Sequence, residues 1–253
     1  MTMSYALPAM AVSQALDLWR RASTRLLAVA GVALILSLRY FSAFGLGYEV
    51  VQLQELSVYT IGLMGALAAF VFHLPREDDS AEAELALLVR PVSPAMLSLG
   101  AWLGKLLVLV GLTLLWCAAL AGALAWFAMG DPRLFSYRGA TSPWQEAAAT
   151  LLPVWGQFCT AALLVALAQP VARARKPFVT ALVLLGLYAL GFAAPSLGAA
   201  GALLPDLARH DLTGRLWGDP ASVSPVALLA HAAAWCGVGL AVDALLLRVR
   251  LAV

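Results

Sequence analysis

Ionisable side chains are scarce in the apolar stretches of this chain, so any chemistry would be sought at Arg39, Glu55, His73, His210, Asp211, His231 and Asp243. Charges in such surroundings are costly and are kept where they do something together. The adjacent His210 and Asp211 could contribute to a metal or substrate contact, but one such pair in a polar loop is expected to be solvated surface. Arg39, Glu55 and His231 fall toward one side of the apolar runs, and His73 and Asp243 toward the other. No three are expected to share a level, so no catalytic residue and no metal site is expected. The run Gly100-Ala-Trp-Leu-Gly104-Lys105 has the glycines and lysine of a phosphate loop. It is one residue short between the glycines, and Leu106 stands where a Ser or Thr must hold magnesium, so it cannot cradle ATP.

The elements that would position these residues are membrane spans. Hydrophobic residues make up 62% of the chain and charged residues 12%, with mean hydropathy +0.88, whereas soluble domains carry about 25% charged residues. The fold class expected is an all-α polytopic membrane protein, one transmembrane domain over residues 1–253. Its six spans fall at about 26–44, 56–74, 106–126, 148–168, 178–194 and 226–247. Ala9 to Arg21 puts Val12, Leu16 and Trp19 on one face, as an interfacial helix ahead of the first span would. Pro153 is expected to bend span four, and Gln169-Pro170 to stop it. Ser196 to Leu204 is apolar but too short to cross, which fits a re-entrant or interfacial segment.

Cys117, Cys159 and Cys236 all lie in apolar runs and form no disulfide framework. No basic residue precedes Trp19-Arg20, so a secretory leader is not expected. Paired glycines at 62 and 65, 100 and 104, and 237 and 239 are expected to let helices approach closely.

Orientation follows from charge. With both termini cytoplasmic, eleven Lys and Arg residues face inward (20, 21, 25, 76, 90, 105, 173, 175, 176, 248 and 250) and four outward (133, 138, 209 and 215). That is a clear positive-inside bias. Arg39 lies inside a span and is expected to snorkel toward the headgroups. Trp126, Trp144 and Trp217 on one side and Trp19 and Trp102 on the other fit aromatic belts. A net charge of +2 gives no reason to expect nucleic acid as a partner.

The long polar insert on the inner side runs from Pro75 to Lys105. Asp79 can cap a helix whose third position is Glu82, and Leu85, Leu88 and Val89 then share one face at helical spacing. Pro91 disfavours helical geometry at Arg90 and ends that element. A Pro-Val-Ser-Pro turn and a second short helix lead through Gly104 and Lys105 into span three. A capped, two-sided helix at the membrane surface suits docking on a partner protein; the alternative is a solvated loop helix with none.

This insert resembles that of the permease subunits of type-2 ABC exporters, in particular the short six-span branch that includes the permease associated with copper-site maturation of nitrous oxide reductase. The matching positions are Glu77 or Asp78, Leu87-Leu88, Arg90, Pro91-Val92-Ser93 and Gly104-Lys105, with Pro94 where the family has Arg. Ser80-Ala-Glu-Ala-Glu84 also departs from the family, which has a Thr-containing stretch before the helix. A second match is Leu203-Leu204-Pro205-Asp206, Asp211-Leu212 and Gly218-Asp219-Pro220. The resemblance implies a permease in the bacterial inner membrane that dimerises with a second copy or a paralogue. It also implies a separate ABC ATPase subunit, which binds ATP and magnesium, so that this chain needs no cofactor and is not itself an enzyme. Asp79, Glu82, Glu84, Leu85, Leu88, Arg90 and Pro91 would couple to that ATPase. Cargo of many classes, from lipid to peptide or polysaccharide, is compatible with the pattern. Two other readings are a membrane-embedded enzyme acting on a lipid or polyprenyl-linked substrate, with Arg39, His210 and Asp211 at its site, and a non-transporting ABC-like membrane partner.

Overall fold

The computed structural model of the protein describes residues 6–41, 48–74, 93–130, 142–173, 176–219 and 223–252. Eight α-helices occur among them: α1 (Ala6–Arg20), α2 (Ala22–Ser37), α3 (Glu49–Val71), α4 (Pro94–Gly130), α5 (Pro143–Ala149), α6 (Leu151–Ala172), α7 (Pro177–Ala193) and α8 (Pro225–Ala252). Short 3-10 segments at Leu38–Tyr40, Ala194–Leu203, Leu207–His210 and Thr213–Trp217 complete the list, and the described residues contain no strand. Six helical stretches are long and apolar enough to cross a membrane. Their outward surface is apolar, with Leu26, Leu185 and Val226 at 70%, 66% and 75% exposure. A soluble chain does not expose such a continuous shell, so this is a multi-pass membrane protein. Six alternating crossings put the start of α2, the end of α3, the start of α4 and the end of α6 at one end of the bundle, here the terminal end. Residues 204–219 lie at the far end.

The bundle is built around α6, which packs against α3, α4, α7 and α8. Of the apolar window in its crossing, 72% is buried, against 22% in the α7 and α8 crossings. Its small residues explain the closeness. Ala161 lies where a side chain on Gly65 of α3 would sit, and Gln157 where one on Gly62 would. Gly239 of α8 lies against the backbone at Ala166, while Gly237 faces open space. Close approach is therefore the role of five of the six paired glycines. Gly104 faces Ala11 and Gln14 of α1, and Gly100 faces Met10, so the motif with phosphate-loop looks is a helix contact. The fully buried Trp116 fills the space opposite Gly31 of α2, its indole N–H donating to Ala28 O at 3.4 Å.

Several sequence expectations are corrected. α4 is one continuous helix from Pro94, not a short helix followed by a span, because a proline at a helix start costs no hydrogen bond. Pro170 sits inside α6 and does not end it; the helix continues to Ala172. The break near the start of span four is at Thr150, between α5 and α6, three residues ahead of Pro153. The Ser196–Leu204 stretch, by contrast, is not at odds with its expectation: up to Leu203 it is part of a 3-10 segment that follows α7 directly.

Candidate functional site

The polar groups of the bundle gather in two places. At the terminal end, α4, α6 and α8 each send polar side chains to one buried network. Asp243 of α8 is fully buried and receives Arg173 on both oxygens, from Nε to Oδ1 and from Nη2 to Oδ2 at 2.8 Å. Gln169, one helical turn before Arg173, donates through Nε2 to Asp243 Oδ2 at 2.9 Å and to Ser98 O at 2.9 Å. Its Oε1 accepts from Lys105 Nζ at 3.2 Å. Ser98 and Lys105 lie seven residues apart on α4, two turns, which puts them on one face.

The sequence expectation that no three ionisable groups share a level is thus overturned: Lys105, Arg173 and Asp243 meet through Gln169. Among the described residues, Arg173 and Lys105 stand near the Asp243 carboxylate in a low-dielectric setting. The ion pair is tolerated because both carboxylate oxygens and the bridging amide are hydrogen-bonded. Lys105 belongs to this network and not to the surface, which leaves the positive-inside bias intact.

His73, just beyond α3, sits beside the network. Its Nδ1 lies 2.6 Å from Ala69 O, its Nε2 is buried without a hydrogen-bond partner among the described residues, and burial together with the Lys105 ammonium pushes its pKa well below the ordinary value. Arg21 closes the same end by donating to Leu74 O at 3.1 Å.

At the far end the 3-10 segment Leu207–His210 carries His210 into the bundle. It is fully buried, so the expectation of a solvated His-Asp pair is wrong for His210. Its Nδ1 lies 2.9 Å from Thr160 Oγ1 of α6, and its Nε2 lies 3.0 Å from Nδ1 of His231 on α8. Burial first, then the neighbouring His231 ring, lowers the His210 pKa to about 4. The backbone descends this far because Gly156 has no side chain; a Cβ there would lie 2.0 Å from His210 O. Asp211 turns the other way, accepting from the Thr213 hydroxyl at 2.7 Å, and Thr213 in turn meets Tyr59 at 2.9 Å.

The other expected residues stay apart. Arg39 stacks over the Trp126 ring at 4.1 Å, and Glu55 accepts from the Trp217 indole at 2.9 Å. The expected coupling residues Asp79, Glu82, Glu84, Leu85, Leu88, Arg90 and Pro91 lie outside the described residues. Sequence reasoning missed Ser98, Gln169 and Thr160 as network members. Polar residues one or two turns apart on apolar helices were the available signal, as with Gln169 and Arg173. No group of three or more His, Cys, Asp or Glu side chains able to hold a metal occurs among the described residues. Both networks are ties between helices. A scan against protein-family models finds no match for this chain, and a search of curated proteins finds none either.

Proposed function

We propose that this chain is the membrane-spanning subunit of an ATP-driven transporter, an exporter of the ABC kind, paired with a second permease copy and with a separate ATP-hydrolysing subunit. The observation that carries the reading is the position of the family-like insert. It stands between the second and third crossings and leads straight into α4, one unbroken helix of 37 residues. At 1.5 Å per residue such a helix is about 55 Å long, well beyond the roughly 30 Å of a bilayer core. A push on the insert therefore acts on the end of a rigid rod. The rod's contacts through Ser98 and Lys105 pass that displacement to α6 and α8, which share Gln169 and Asp243 with it.

In this reading the terminal end faces the cytoplasm of a bacterial cell, as the excess of Lys and Arg on that side supports. ATP and magnesium sit on the companion subunit, and Leu88 is a central contact of the insert with it. The test is affinity purification of the full chain from its native membranes, followed by ATPase assay of the recovered complex. A companion bearing a Walker A loop is expected, and Leu88→Asp is expected to leave the chain in the membrane while losing that companion and its stimulated hydrolysis. Recovery of the native chain with no nucleotide-binding companion, or an unchanged complex from the variant, overturns the reading.

A further inference from the structure

His210 and His231 meet in a contact whose geometry limits how many protons it can hold. His210 Nε2 lies 3.0 Å from His231 Nδ1, with the ring planes 84° apart and the ring centroids 5.1 Å apart. A neutral imidazole carries one N–H and one bare nitrogen, so two neutral rings can place a single hydrogen in that contact. The Thr160 hydroxyl, 2.9 Å from His210 Nδ1, donates or accepts as the tautomer requires. One added proton also fits. A charged His231 donates from Nδ1 to the bare Nε2 of His210, and His210 Nδ1–H donates to Thr160 Oγ1. A second added proton does not fit, because it sets an N–H on each of the two facing nitrogens and a positive charge on each ring. Both changes drive the rings apart.

Protons reach the pair through His231. That residue is part-exposed and lines a cavity of about 350 Å³ together with Pro195, Leu204 and Trp235, whereas His210 is fully buried. Little nearby neutralises a doubly charged pair. Asp206, whose charge acts on His210, is already paired with Arg209, and Asp211 is engaged by Thr213. Of the elements packed against the Leu207–His210 segment, α6 brings only the Cys159 thiol, α7 only the Tyr188 phenol, and Ala194–Leu203 no titratable side chain. On α8 the other titratable group in the far half is the Cys236 thiol. Burial first, and the His231 ring second, hold the His210 pKa down to about 4. The second proton therefore arrives only in acid.

The contact joins two parts that are held unequally. The Leu207–His210 segment packs on α6 and α7, with Leu207 fully buried against Gly191 of α7. The far half of α8 is thinly covered: between Pro225 and Trp235 only Leu228 and Ala232 are buried, and His231 is the one residue there with an ionisable side chain. We propose that the His210–His231 pair is an acid-sensitive latch, which fastens the far half of α8 to the Leu207–His210 segment with up to one added proton and releases it with two. Release parts α8 from a segment that stays seated on α6 and α7, so the bundle loosens at its far end alone. The latch responds to acidity on the side away from the termini. It needs no ATPase, so its success or failure is separate from that of the pump reading.

The test is solid-state NMR of the full chain in lipid bilayers, with heavy nitrogen in its three histidines, together with amide hydrogen exchange. A nitrogen–nitrogen coupling across the His210–His231 hydrogen bond is expected at neutral pH. It should survive the first protonation and vanish with the second, near the His210 pKa of about 4. Over the same interval the amides of residues 206–211 and 226–235, scaled to their intrinsic rates, are expected to exchange about tenfold faster, as the loss of one hydrogen bond implies. Those of α3 should hold steady. His231→Gln, at a part-exposed position, is expected to abolish the acid response, and His73→Asn to keep it. The spectrum of the native chain decides even where a variant fails to fold. A pair that takes both protons with its coupling intact, acceleration spread evenly over every helix, or a full acid response in folded His231→Gln overturns the proposal.

Discussion

Arg173 lays its Nε and Nη2 on the two oxygens of Asp243, a carboxylate with no solvent exposure, so that an ion pair closes α6 against α8. The two residues are seventy positions apart in the chain. Because Gln169 shares Asp243 Oδ2 and also holds Lys105, removing the carboxylate takes a hydrogen-bond acceptor from Arg173 and from the amide that holds Lys105. Asp243→Ala is expected to cost about 3 kcal/mol, read as a lower melting temperature in detergent. Adding Arg173→Gln is expected to restore part of that loss, and a double-mutant cycle measures the coupling. Additive losses would show that the pair does not tie the helices.

A second expectation concerns pH. Burial holds the folded-state pKa of His210 near 4, below the unfolded value of about 6.5. Below pH about 6.5 the unfolded chain takes up a proton that folded His210 refuses, so stability is full above that pH. It falls as pH drops toward 4 and then levels off, by up to about 1.4 kcal/mol per pH unit. His73 acts in the same direction. His210→Asn should therefore flatten, but not abolish, the fall in melting temperature between pH 7 and 5, while His73→Asn removes a separate part. An unchanged slope in His210→Asn would contradict the buried, neutral imidazole.

Gly156 tests the path of the far-end loop. A methyl there would stand 2.0 Å from His210 O, against backbone that cannot step aside cheaply. Gly156→Ala is expected to destabilise by about 3 kcal/mol. Gly186→Ala meets nothing within 4 Å and serves as the control, with an effect within about 1 kcal/mol. Matching melting temperatures for the two would refute the close passage.

The glycines of the α1–α4 contact should also differ from each other. At Gly104 an added Cβ meets Ala11 O at 2.8 Å and Gln14 Cβ at 2.6 Å, whereas at Gly100 it meets side-chain atoms alone, Met10 from 3.2 Å and Leu7 Cδ1 at 3.6 Å. Gly104→Ala is expected to loosen α1 by about 2 kcal/mol, seen as faster proteolysis between Arg20 and Arg25. Gly100→Ala should remain near the native rate, because a methionine side chain adjusts. Equal sensitivity of both would place the packing elsewhere.

The apolar runs alone decided that this chain has six helices long and apolar enough to cross a membrane, because about 20 apolar residues per crossing is a property of length and composition that needs no partner. The glycine spacings were likewise legible: Gly62, Gly65, Gly100, Gly104 and Gly239 do sit at close contacts, since a missing side chain favours one outcome on a packed helix. What only the tertiary structure decided is which polar residues share a site. Lys105, Gln169 and Asp243 are separated by more than sixty residues at each step, and His210 sits in a loop whose polar neighbours pointed to solvent. Their meeting depends on how α4, α6 and α8 rotate and slide against one another. That is set by packing over whole helix faces, which local spacing does not encode.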